Sequence, residues 1–257
     1  MAVTLGLAAA PGLADEAPVD GRAVMVRVEA RPRGADEALR ATWHLIDKRG
    51  GERVRQVRAF WRDERATDGD LHSKRLIVFD APAAIRGTAF LVHSRSDPGE
   101  EDLRWVYLPA LRKVRRIAGR DRNKRFAGSD FTYDDLGERA PDEDDHVLLR
   151  DEERDGRRHH VVESRPRGPA AYARRMQWID AERFVVTRAE FYDSADRLER
   201  ALEARWTQRD GIWFWEHLEM EDLRRKHRTR VEVREIRHDE DLPEDLFQDS
   251  TLALGIP

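Results

Sequence analysis

The stretch 198-LERALEARW-206 decides how this chain folds. Its apolar residues Leu198, Leu202, Ala204 and Trp206 fall on even positions, while Glu199, Glu203 and Arg205 fall on odd ones. Successive side chains of an extended backbone point to opposite faces, so this alternation marks a strand with one buried face and one wet face. The next segment, 212-IWFWEHLEM-220, keeps the rule with Ile212, Phe214, Leu218 and Met220, and Glu216 interrupts the row. In 228-RTRVEVRE-235 and 53-RVRQVRAFW-61, valines, Ala59 and Trp61 alternate with Arg, Glu and Gln in the same way.

Further strand candidates are ATWHLID, KRLIVFD, GTAFLVHS, RWVYLP, DHVLLR, HHVVES, YARRMQWID and RFVVTRAEFYD, joined by short turns such as DKRGGER, DAER and YDSADR. Long helical periodicity between them is absent, which argues against a parallel α/β sheet and for a large antiparallel meander. Arginine and glutamate on the wet face can pair across strands. The charge content of 38 %, against roughly 25 % in an ordinary chain, then has a structural cause. In SDFTYDDLGERA, Ser129 or Asp130 suits a helix N-cap, acids fill the first turn and Gly137 ends it, so a short helix is expected there.

At 257 residues and net charge −4 the chain fits one β-rich domain with a two-sign surface, not a nucleic-acid binder. It has no cysteine, hence no disulfide, thiolate metal site or cysteine nucleophile. Residues 1–14 read as the remnant of a signal peptide, apolar up to Ala14 and acidic from Asp15, leaving 15–257 as a single domain.

No residue pattern nominates an active site. The chain lacks G-x-S-x-G, H-E-x-x-H, a Walker loop and a dinucleotide fingerprint, so no catalytic residue and no cofactor is expected. The acids of DEDDH (Asp142–His146) are consecutive, where a calcium loop needs alternating ligands, and they read as a solvated loop. His159 and His160 are neighbours on a strand and point apart, so they do not chelate one ion. No metal is expected.

Two features remain. The run Leu111–Arg125 carries eight Lys or Arg and one Asp; Arg112, Lys113, Arg115, Arg116 and Arg122 either meet anionic head groups or an acidic partner, or pair with the acids at 142–153. A curved sheet with an apolar hollow either receives a greasy ligand or is filled by its own short helices. The residues alone leave both alternatives open.

The segments WVYLPALRKVRRI (Trp105–Ile117) and FAGSDFTYDDL (Phe126–Leu136) resemble the outer membrane lipoprotein-sorting protein family, a longer branch of the LolA/LolB-like superfamily. LIDKRGGERVRQ, LIVFDAPAAIRGTAFL, RMQWID, EFYDSADRLER and DLPEDLFQDSTL extend the resemblance over about residues 22 to 252. It implies a mainly β (α+β) fold, an incomplete barrel of about eleven antiparallel strands whose concave face is covered by short helices. VDGRAVMVRVEARPRG becomes the first of these helices, although its valines also suit a strand.

The resemblance further implies a soluble periplasmic carrier, a monomer that is no enzyme. Its cargo would be a lipoprotein acyl chain or another lipid, with an inner-membrane transporter and an outer-membrane acceptor as possible partners. The lack of a lipobox cysteine fits a soluble carrier better than an anchored receptor. Shorter carriers hold their lid with an arginine, for which no position is assigned here. The lining then falls to Leu91, Trp178, Phe191, Leu202, Phe214, Leu218 and Met220, with Phe131 and Tyr133 on the lid. The alternative is an adaptor of an envelope transporter that carries no lipid and docks through the basic run.

Overall fold

The structure, a computed structural model, describes residues 20–67 and 69–254; the expected signal peptide at 1–14 lies outside the described residues. Helix α1 (Gly21–Glu29) comes first, with the Asp20 side chain accepting from the Ala23 N–H as its cap. Thirteen strands follow: β1 (Asp36–Ile46), β2 (Glu52–Asp63), β3 (Leu71–Ala81), β4 (Ala89–Arg95), β5 (Leu103–Leu108), β6 (Lys113–Arg116), β7 (Asp144–Arg154), β8 (Arg157–Pro166), β9 (Arg174–Asp180), β10 (Val186–Tyr192), β11 (Leu198–Arg209), β12 (Ile212–Asp222) and β13 (His227–His238).

All thirteen form one antiparallel sheet in the order β6-β5-β4-β3-β2-β1-β13-β12-β11-β10-β9-β8-β7. Two meanders, β1–β6 and β7–β13, therefore meet at the β1–β13 pair. The sheet curls but does not close, and it has two strands more than the expected eleven. Strand β6 and strand β7 are its free edges. The chain leaves one edge and re-enters at the other, so residues 117–143 must travel across the open side.

The concave face carries the main core: Leu39, Trp43 and Leu45 of β1, Ile77 and Phe79 of β3, Phe90 and Val92 of β4, with Phe191, Met220 and Val231 from the second meander. At the far edge, Val24 and Met25 of α1 pack on Val162 and Ile179, so the segment that the resemblance made a helix is one. The convex face is charged and paired across strands, as in Arg154–Glu203 at 3.1 Å and Arg230–Glu219 at 3.1 Å. Over β3–β5 it is instead apolar, and Leu246, Phe247 and Leu252 of the C-terminal segment cover it.

The expected helix in SDFTYDDLGERA does not form; residues 126–137 are turns and bends, with Thr132 bridged to Arg125. Ser129 spends its hydroxyl on the Phe126 carbonyl at 2.7 Å, and the Asp130 carboxylate goes to Thr229 and His227 of β13. The local caps are outbid by tertiary partners. Ala127 and Gly128 both hold positive φ, 47° and 76°, and the Ser129 N–H reaches the Phe126 carbonyl at 2.9 Å, closing a tight turn that favours glycine.

Candidate functional site

The segment GSDFTYDDL (Gly128–Leu136) sits inside the curl as a plug. Phe131 lies 5.7 Å from Trp43, centroid to centroid, and Tyr133 lies 5.5 Å from Phe90. Phe126, just ahead of the turn, stacks on Phe79 at 5.6 Å. Offset and edge-on contacts of this kind add about 0.5–1.5 kcal/mol per pair beyond burial. The aromatic side of the plug thus fills the hollow over β1, β3 and β4.

Its aspartates anchor it to both meanders. Asp130, fully buried, accepts from the Thr229 hydroxyl at 2.7 Å and meets His227 Nδ1 at 2.6 Å, both on β13. Asp134 pairs with Arg104 of β5 at 3.2 Å and Arg122 at 3.1 Å. Asp135 pairs with Arg200 of β11 and also accepts from the Thr132 N–H at 2.6 Å and the Thr132 hydroxyl at 2.8 Å. Burial raises the Asp135 pKa, but the Arg200 charge and these hydrogen bonds overcome it and hold the carboxyl below its usual value.

Arg200 is 2 % exposed, the largest fully buried side chain among the described residues, with its guanidinium 4.6 Å from the Phe191 ring. Sequence reasoning missed it. It stands on an even position of LERALEARW, where the alternation otherwise places apolar side chains, and a charge on the buried face was the available signal.

The plug leaves two spaces. One is a hollow of ≈ 290 Å³ between β1–β3 and β11–β13, walled by Leu39, Val57, Ile77, Trp206, Phe214 and Leu218. The other is a wider cleft of ≈ 930 Å³ beside α1, with Phe191, Leu202 and Met220 on an apolar floor and Arg104, Arg122, Glu138, Arg139 and Arg175 around it. Phe131, Asp135, Val186 and Leu202 border both, so the plug is the partition between them.

Most of the expected lining residues converge here. Phe131, Tyr133, Phe191, Leu202, Phe214, Leu218 and Met220 belong to or pack on the concave core. Two expectations need correction. Leu91 points to the convex face, against Leu246, Phe247 and Leu252, while its neighbours Phe90 and Val92 point inward. Both faces of β4 are buried, so apolar content could not reveal its register. Trp178 is also turned outward: its indole N–H donates to Glu152 at 2.5 Å and Arg188 lies 5.5 Å over the ring, while Ile179 faces α1.

The basic run divides as well. Arg112, Lys113 and Arg116 are exposed on or beside edge strand β6, and Arg115 pairs with Asp121 at 3.1 Å. Lysine and arginine on an edge also block unwanted strand pairing. Arg122 is corrected from a surface contact to an internal one, 9 % exposed and bound to Asp134 and the Pro169 carbonyl. The acids at 142–153 are not its partners. The solvated loop expected at DEDDH is only partly one: Asp144–His146 open β7, Asp142 and Asp145 are exposed, and Asp144 is buried against Arg139 at 2.7 Å and Arg175 at 3.2 Å. Among the described residues no cluster of His, Asp and Glu is arranged to hold a metal ion, and no helix is long and apolar enough to cross a membrane.

A family model described as that of an uncharacterized protein matches residues 72–253. A solved DUF1329 family protein from Desulfovibrio piger is 30% identical and superposes with a TM-score of 0.85, over 90% of this chain and 97% of that one. The chain belongs to the DUF1329 family. A domain from Vibrio parahaemolyticus described as an outer membrane lipoprotein-sorting protein is 28% identical at a TM-score of 0.84, covering 91% of this chain and 98% of that one. A LolA superfamily protein from Nitrosomonas europaea shares the fold at a TM-score of 0.70 and 18% identity, over 91% and 99% of the two chains. Among curated proteins, none matches this DUF1329 chain.

Proposed function

We propose that the protein is a lipid carrier that shields an acyl chain, free or on a lipoprotein, inside the open barrel. The observation that carries this reading is the ≈ 290 Å³ apolar hollow retained beneath the plug, which Phe131 and Leu202 separate from a second, larger cleft. The hollow alone stands at the lower end of the roughly 300–1,000 Å³ range of ligand sites, the size for one chain. Each methylene buried contributes about 0.8 kcal/mol, so a long chain binds with few polar contacts.

The 28% identity to a lipoprotein-sorting domain supports the same reading. By that analogy the carrier works in the periplasm, between an inner-membrane donor and an outer-membrane acceptor. Arg112, Lys113 and Arg116 on the free edge are then the residues to meet an anionic head group or partner. The binding is non-covalent, with no catalytic step.

Native mass spectrometry of protein purified from the periplasm tests this. Co-purifying lipid, removed by organic extraction and restored on incubation with fatty acid, is the expected result. A single apo mass that never shifts with any acyl ligand would favour the adaptor reading. In the carrier, charge reversal at Arg112, Lys113 and Arg116 should abolish membrane or partner association while leaving lipid uptake intact.

A further inference from the structure

The end of the hollow nearest the start of β1 has a polar wall of unusual balance. The linker between α1 and β1 carries Arg31 and Arg33 across it, and Arg75 enters from β3. Arg33 stacks 4.3 Å over Trp61 and binds Glu138, which also meets Arg75 at 3.2 Å and His72 at 3.3 Å. One carboxylate therefore serves three cationic partners. Glu37 shares the wall, 3.6 Å from His238, and Asp135 is taken by Arg200.

Arg31 is left over. It makes no ion pair among the described residues, donates only to the Val28 carbonyl at 2.5 Å, and lies 5.0 Å over the Trp206 ring. Its Nε is buried without a partner. Burial, with the charge of Arg33 added, lowers its pKa to about 10, although Glu138 and Glu37 act from beyond ion-pair distance to raise it. An unpaired guanidinium at the rim of an apolar hollow is poorly served by protein alone, because a buried charge needs a partner and hydrogen bonds. It is well placed to take one from a ligand.

We propose that Arg31, backed by Arg33 and Arg75, is the head-group site of an anionic amphiphile, a carboxylate or phosphate on the end of an acyl chain. This rests on the reading that the hollow takes an acyl chain. The chain lies along Leu39, Trp206, Phe214 and Leu218, and the head accepts charge-assisted hydrogen bonds from the Arg31 guanidinium. Arginine forks suit both oxyanions bidentately.

Equilibrium binding of three probes with one chain length tests it: dodecanoate, dodecyl phosphate and uncharged dodecanol. The wild-type protein should bind at least one charged probe ~10-fold or more tightly than dodecanol, the worth of one charge-assisted hydrogen bond. Which of the two is preferred tells a carboxylate from a phosphate head. Arg31→Gln should erase that preference and leave dodecanol affinity unchanged, whereas Arg31→Lys should keep most of it. Equal affinity of wild type for all three probes overturns the head-group site alone. So does an equal loss for all three in Arg31→Gln, which would mark a structural role. Displacement of the charged probes by inorganic phosphate at comparable concentration would mean a free-anion site and also overturns it. Binding of none of them overturns the carrier reading itself. If Arg31→Gln fails to fold, the wild-type comparison still decides.

Discussion

At the scale of single residues, the hold on the plug turns on Arg200 and Asp135. A carboxylate and a guanidinium buried together are costly to desolvate, and removing one partner strands the other. Arg200→Met should destabilise the protein by about 3–5 kcal/mol, measured by chemical denaturation, and adding Asp135→Leu should recover most of that loss. Because the Asp135 carboxyl is held below its unfolded value of about 3.9, its contribution is complete above that pH and disappears as pH falls through the lower folded value. Glu138, held well below the usual range against its burial by Arg33, His72 and Arg75, adds to the same acid limb. His72 has the opposite sign. The hydrogen bond to Glu138 raises its pKa, so its contribution is whole below about 6.5 and is lost as pH rises through the raised value. Stability followed from pH 3 to 9 should therefore fall on the acid side, and His72→Gln should flatten the decline on the alkaline side. Neither pair was legible in the sequence. Arg200 is one odd charge in an apolar row, and Asp135 sits 65 positions away in a segment that reads locally as a helix start.

The elements were more legible than the segments between them. Strands with one wet face, such as β11 and β13, announce themselves by alternation, because water and core select residues independently at successive positions. Leu91 on β4 and Trp178 on β9 show where that signal ends: a strand buried on both faces, or an indole that pays for its outward place with a hydrogen bond, carries no directional pattern. The plug reads locally as a helix start because its Ser and Asp caps are real preferences, defeated here by β13 and Arg200. Held by three aspartates, it is a fixed partition in the resting molecule. Amide hydrogen exchange should show Phe126, Asp130 and Thr132, whose N–H groups donate to the Phe131 carbonyl, the Thr229 hydroxyl and Asp135, protected to nearly the global limit; exchange of these amides at loop rates would make the plug a lid that opens readily. Helix α1 makes a second test. A Cβ at Gly21 would stand 2.7 Å from the backbone nitrogen of Leu148 on β7, so Gly21→Ala must push the helix off the sheet edge. It should cost about 1–3 kcal/mol and raise exchange along β7.

At the scale of the whole molecule, the topology explains why the plug exists. A thirteen-stranded sheet that curls without closing must hide its inner face, and the one connection between its two free edges runs through the opening. That connection is the stretch on which the family resemblance was strongest. Its aromatics fill one side of the curl, while α1 covers the far edge and the C-terminal segment seals the convex apolar patch. Of the two spaces left unfilled, the apolar one lies against β11–β13, and the carrier reading depends on that space being used. The most direct test measures energy transfer from the tryptophans around the hollow to cis-parinaric acid, in wild type and in Ala204→Phe, which fills the space from β11. Saturable uptake by wild type and its loss in the folded Ala204→Phe variant are expected. No uptake by wild type, or undiminished uptake by the filled variant, would contradict the carrier reading.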